Sequence, residues 1–224
     1  MASRFRFRLW RCAAFSFVVL SAAASFAQVQ ITEIMFDPIT EDKWEWIEVR
    51  NTTGAPVNLN GWVFDDDDDT KIGAANISNV NGNTIVPAGG VAVLYNGSDL
   101  NFDPTRFTNA WGSGITLVPV NGFTSLTPGD AIGLWSSHAS YSADDLMVPT
   151  SPRRTFNSAV VSVNFATTNG FPATTNGHSI AWNGVGSGSG GGNWVASSNG
   201  VLGAHVSVQT TLPAASVRPR SDQH

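Results

Sequence analysis

Residues 45–64 read Glu45-Trp46-Ile47-Glu48-Val49-Arg50-Asn51-Thr52-Thr53-Gly54-Ala55-Pro56-Val57-Asn58-Leu59-Asn60-Gly61-Trp62-Val63-Phe64. Side chains alternate along a strand, so Ile47 and Val49 share one face while Trp46 and Glu48 share the other. Asn51-Thr52-Thr53-Gly54 stops that strand, and Pro56-Val57-Asn58-Leu59 leads back toward Gly61-Trp62-Val63-Phe64. Trp62 is the candidate for a central core aromatic, and Ile47, Val49, Val93 and Leu134 are expected in the core with it. A strand, a polar turn and a returning apolar run describe antiparallel sheet.

The same grammar extends in both directions. Short β-rich runs fall at Val29–Met35, 44–51, 61–64, 83–86, 91–95, 115–118, Ala131–Trp135, 159–166 and 178–182. Asn-Gly steps at Asn60, Asn81, Asn96, Asn121, Asn169, Asn176, Asn183 and Asn199 punctuate them, and such pairs readily adopt the positive φ of tight turns. One helix stands out, with Asp103 as N-cap, Pro104 at the first helical position, then Thr105-Arg106-Phe107 toward Trp111. About nine strands with regular turns and one short helical insertion predict an all-β antiparallel sandwich rather than a βαβ fold.

Composition agrees. The chain has 224 residues, 13% charged and 42% apolar, with 22 glycines, which excludes a coiled coil, a collagen and a polytopic membrane protein. Arg4, Arg6, Arg8 and Arg11 precede a 12-residue uncharged apolar run at 13–24, and Ser25-Phe26-Ala27 follows. The run is too short to span a bilayer. Basic start, short apolar middle and small-residue exit predict a secretory signal peptide over 1–27, cleaved after Ala27. The domain then spans 28–209, and the polar, Pro-interrupted stretch 210–224 reads as a tail without a membrane anchor. The mature chain keeps 8 basic and 17 acidic residues, a formal charge of −9, and no cysteine. A surface this acidic disfavours direct nucleic-acid binding.

These segments also carry a family resemblance. Ile31-Thr32-Glu33-Ile34-Met35 with Asp37-Pro38 resembles the first strand of lamin tail domains of the secreted bacterial type. Glu45 to Asn51 is similar to the second strand, and Val57-Asn58-Leu59-Asn60-Gly61-Trp62 to the third. Val86-Pro87-Ala88-Gly89-Gly90-Val91-Ala92-Val93-Leu94 resembles the family's step from proline and glycine into an apolar strand. Gly129-Asp130-Ala131-Ile132-Gly133-Leu134, His178-Ser179-Ile180-Ala181-Trp182 and Asn193-Trp194 fit more loosely. The resemblance spans about residues 29 to 205. It implies an immunoglobulin-like β-sandwich used for interaction or targeting. Lamin tails that contact chromatin use basic surface, which this protein lacks.

Candidate sites are few. Asp65, Asp66, Asp67, Asp68 and Asp69 follow the 61–64 run, in the loop where that strand is expected to leave the sheet. They read as a solvated acidic turn guarding an edge, or as a weak calcium site, since carboxylates in a row repel and a hard cation relieves them. Trp44 and Trp46 share a strand face and read as core under a loop, or as an aromatic platform for a protein or glycan partner. Glu33 and Glu48 could meet across strands as a glycosidase pair, though acids on neighbouring strands are more often structural. His138, His178 and His205 lack metal-ligand spacing. Gly186, Gly188 and Gly191 match a dinucleotide fingerprint only by spacing, within a Gly/Ser loop flexible by composition. The expected function is therefore that of a non-enzymatic interaction module, secreted, periplasmic or at the cell surface. The alternatives are a metal-dependent hydrolase or nuclease with an acidic site, and a carbohydrate-binding module.

Overall fold

The computed structural model describes residues 27–38, 45–66, 75–77, 82–98, 104–111, 116–145, 155–174, 177–186 and 188–197. The apolar runs become strands β1 (Val29–Met35), β2 (Trp46–Asn51), β3 (Val57–Asn58), β4 (Val63–Asp66), β5 (Ala75–Ile77), β6 (Ile85–Val86) and β7 (Val91–Asn96). After helix α1 (Pro104–Trp111) come β8 (Thr116–Asn121), β9 (Ala131–Trp135), helix α2 (His138–Asp145), β10 (Val161–Asn164), β11 (Ile180–Trp182) and β12 (Trp194–Ala196). Ten of them form one ribbon in the order β10-β9-β4-β5-β8-β7-β2-β1-β11-β12, and β3 pairs with β6 apart from it. The ribbon doubles over so that β10 lies across β1, where Phe36 stacks on Phe165 at 5.2 Å between ring centres. This is the expected all-β sandwich.

Its inner face is largely apolar, with Asp66 and Asn51 as buried polar exceptions. Ile31, Ile34, Ile47, Val49, Trp62, Phe64, Leu94, Val118, Ile132, Leu134 and Val163 share one buried cluster. Each buried aliphatic residue of this kind stabilises by about 1.5–3 kcal/mol relative to exposure. Trp62, Ile47, Val49 and Leu134 sit where the sequence places them. Val93 is in the core too, but in a second cluster: it pairs in register with Glu48 and so faces the opposite side of the sheet, with Trp46.

Two further features were not legible in the alternation. The β7–β8 pair is parallel, whereas the other pairs of the ribbon are antiparallel. The helix supplies the reason, because parallel neighbours need a crossover connection and α1 lies within the one between β7 and β8. It begins at Pro104 as expected, while its proposed cap Asp103 lies outside the described residues. The second helix, α2, was not foreseen, since its sequence His-Ala-Ser-Tyr-Ser-Ala-Asp-Asp has little apolar periodicity. The expected signal peptide, except Ala27, and the tail 210–224 also lie outside the described residues. No described helix is long and apolar enough to cross a membrane.

Candidate functional site

Glu33 and Glu48 stand opposite each other on β1 and β2, beside a register shift between Ile31 and Glu33. Both carboxylates are buried. The Thr32 hydroxyl donates to Glu48 Oε1 at 2.6 Å, and the Ser179 hydroxyl donates to Glu33 Oε1 at 2.5 Å. Ser179 in turn meets the Ser197 hydroxyl at 2.6 Å, and His178 Nδ1 bonds the Ser197 carbonyl. The cross-strand pairing the sequence allowed is there, yet each carboxylate is buried and taken up by a neighbouring hydroxyl rather than lining a cleft open to a sugar. His138, at the start of α2, is remote from this group in sequence and lies against Tyr141 at 5.9 Å between ring centres. His205 lies outside the described residues.

The aromatic platform is corrected for one of its two residues. Trp46 is fully buried beneath α1, edge-on to Phe107 at 5.7 Å, because the helix covers the outer face of β1, β2 and β7. It offers no surface to a partner. Trp44 lies outside the described residues.

The acidic run is corrected as well. Strand β4 continues through Asp65 and Asp66, which pair with Gly133 and Ile132 of β9 rather than entering a loop. Consecutive strand residues point to opposite faces, so these two carboxylates do not converge on one ion. Asp65 accepts the Tyr141 hydroxyl at 2.6 Å, and Asp66 accepts the Thr124 hydroxyl at 2.6 Å. Asp67, Asp68 and Asp69 lie outside the described residues. Among the described residues no group of three His, Cys, Asp or Glu side chains is placed to hold a metal ion.

One concave feature among the described residues is a cleft of about 340 Å³ between the β8–β9 connection and the segment after β10. One wall is the turn Thr127-Pro128-Gly129-Asp130; the other is the 165–174 segment, with Phe36 and Phe165 at the base. The turn follows from its sequence, with Pro in the first central position and Gly129 at φ +100° in the second. Carboxylates from three places fasten it. Asp66 holds Thr124, Asp130 accepts the Thr127 amide and hydroxyl, and Glu45 Oε2 accepts the Leu126 amide at 2.9 Å. Phe165 joins the walls by donating its amide to the Asp130 carbonyl at 3.0 Å. On the far wall the exposed residues Thr167 and Thr168 belong to a single 3₁₀ turn closed by Gly170.

The Glu45 carboxyl beside this turn has a raised pKa. Burial pushes it up to about 7, helped by Asp130 and Asp37 and opposed by hydrogen bonds from the Leu126 amide and the Ser125 side chain. A group titrating near neutrality is a common mark of acid–base chemistry, but Glu45 is 7% exposed and bonded to the turn it supports. It works on the loop. The sequence singled out neither Glu45 nor the cleft; the available signal was the Thr-Pro-Gly-Asp turn, read only as part of a strand motif.

The Gly/Ser loop holds no nucleotide-binding unit. Gly186 and Gly188 sit at positive φ between β11 and β12, and Gly191 opens a 3₁₀ turn rather than an α-helix. Two indoles anchor the loop, Trp182 Nε1 to the Val185 carbonyl at 2.7 Å and Trp194 Nε1 to the Gly188 carbonyl at 2.8 Å.

No curated protein matches the sequence. The family described as Lamin Tail Domain matches residues 22–187, most of its length and nearly all of the strands above. With the sandwich, its order of motifs and this match in agreement, the chain belongs to the lamin tail domain family.

Proposed function

We propose that this protein is an exported, non-catalytic binding module that takes a segment of a partner protein into the cleft between the 127–130 turn and the 165–174 segment. The cleft carries the reading. Its base is aromatic, its walls hold Pro128 and Pro172, and the exposed Thr167 and Thr168 offer hydroxyls at its edge. Apolar surface with a few polar groups suits a protein segment docking through apolar side chains. The family's character as an interaction domain points the same way. The mature charge of −9 favours a partner with basic flanks, since complementary charge steers association. Export rests on the Arg-rich start, the short apolar run and Ser25-Phe26-Ala27. Strand β1 begins at Val29, so cleavage after Ala27 leaves the sheet whole.

A substrate screen separates this from the hydrolase or nuclease alternative. The mature protein is offered esters, glycosides, peptides and nucleic acids, with and without Mg²⁺, Mn²⁺, Zn²⁺ and Ca²⁺. The expected result is no turnover above that of a heat-denatured control. Metal-dependent turnover abolished by Glu33→Gln or Glu48→Gln would overturn the reading. Intact-mass measurement of protein from the envelope and medium tests export: a polypeptide starting at Gln28 is expected, and a full-length one in the cytoplasm contradicts it.

A further inference from the structure

We infer that Asn183–Gly184 is a site of spontaneous deamidation, and that the fold protects the other Asn-Gly steps it describes in full. The sequence carries eight such steps, chemically alike as peptides. In each, the backbone nitrogen of the glycine can attack the terminal amide carbon of the asparagine. A new bond forms between that nitrogen and that carbon, the original amide bond of the asparagine breaks, and ammonia leaves with the proton released by the backbone amide. Water then opens the cyclic imide at either carbonyl, giving Asp or isoAsp. The attacking nitrogen must first lose its proton, so an N–H held in a hydrogen bond is a poorer nucleophile.

Five steps have both residues described, and the structure treats them differently. Gly61 donates its N–H to the Ile77 carbonyl at 3.0 Å, and Gly97 to the Val120 carbonyl at 2.9 Å. Gly122 donates to the Ser98 hydroxyl at 3.1 Å, and Gly170 to the Thr167 carbonyl at 3.0 Å. The Gly184 N–H has no acceptor among the described residues. Asn96 is the matched control. Its Oδ1 accepts the Ser98 amide at 3.1 Å, just as Asn183 Oδ1 accepts the Val185 amide at 2.9 Å. Both side chains are folded back over the following peptide in the same kind of turn. The two sites differ in whether the glycine N–H is engaged. Gly184 and Val185 are also exposed, so water and base reach the imide.

The site matters for the loop around it. IsoAsp lengthens the backbone by one carbon between Trp182 and Gly184, and either product adds a negative charge. The Asn183 amide donates to the Asn193 carbonyl at 2.8 Å, and Trp182 grips Val185, so both bonds that close the loop flank the modified residue.

The test is ageing of the mature protein at mildly alkaline pH in ¹⁸O-labelled water, followed by peptide mass spectrometry at each Asn-Gly step. A net hydrogen bond is worth roughly a factor of five to ten. Label is therefore expected at residue 183 about five- to tenfold faster than at residues 60, 96, 121 and 169. The same ageing in urea should bring the five rates together, because unfolding frees every glycine N–H. Equal native rates, or faster labelling at residue 96 than at 183, would overturn the inference. So would a lead for residue 183 that persists unchanged in urea, since local sequence rather than the fold would then set it.

Discussion

Both outer faces of the sandwich are covered by an eight-residue helix, and the two covers are built on opposite principles. Over β2 and β7, Phe107 of α1 sits edge-on to Trp46 among Met35, Val93 and Tyr95, an apolar cap. Over β4 and β9, Tyr141 of α2 sits edge-on to Trp135 at 5.1 Å, and Phe156 stacks on the same indole at 5.5 Å. That second cap is also pinned by carboxylates. Asp65 takes the Tyr141 hydroxyl, while Asp144 takes Trp135 Nε1 at 2.7 Å and the Ser158 amide at 2.9 and 3.0 Å. An apolar cap owes its stability to area and shape. The pinned cap adds directional bonds whose loss strands a buried donor or acceptor.

Trp46→Ala empties the α1 cap and should cost about 3–5 kcal/mol in urea unfolding. A cost below about 1 kcal/mol would mean that α1 does not cover this face in solution. On the other face, Asp144→Ala leaves the Trp135 and Ser158 N–H groups without their acceptor and should cost about 2–3 kcal/mol. Asp144→Asn keeps an acceptor and should recover part of that loss; equal losses would show that packing, not bonding, fixes the cap.

Gly133→Ala probes the fit of Phe156. A Cβ there would lie 2.5 Å from Phe156 Cδ1 and 2.8 Å from the Trp135 ring, so the stacked ring must move. The expected cost is about 1–2 kcal/mol, with the near-ultraviolet circular dichroism of Trp135 altered. An unchanged signal and stability would place Phe156 elsewhere.

A further effect is one of pH. Glu45 holds a proton in the folded protein up to about 7, against 4.5 for its ordinary value. Its folded pKa is raised, so its contribution to stability is full below about 4.5 and is lost as pH rises toward 7. Relative to Glu45→Gln, the native protein should therefore weaken across that window. A difference that stays constant with pH would show that Glu45 is solvated and does not brace the cleft turn.

Much of the sheet was legible because alternation is a local property. Ile47 and Val49 against Trp46 and Glu48 sorted correctly, and Trp62 entered the core. What failed depends on partners distant in sequence. Asp65 and Asp66 look like a solvated loop, since nothing nearby in sequence says that Tyr141 and Thr124 will receive them in a strand. Trp46 looks free to face a partner until α1, some sixty residues later by position 107, lies down over it. The cleft was invisible for the same reason, for its walls come from residues 127–130 and 165–174 and its base from Phe36.

Cross-linking from the cleft tests the function most directly. A photoreactive residue in place of the exposed Thr168 is expressed in the native host, irradiated, and the conjugates recovered from the envelope fraction. A discrete protein adduct is expected, one that disappears when Thr167→Arg blocks the cleft while the melting temperature holds. An adduct that survives Thr167→Arg unchanged, or adducts absent from the cleft but formed by a probe at the exposed Val185, outside the cleft lining, would contradict it.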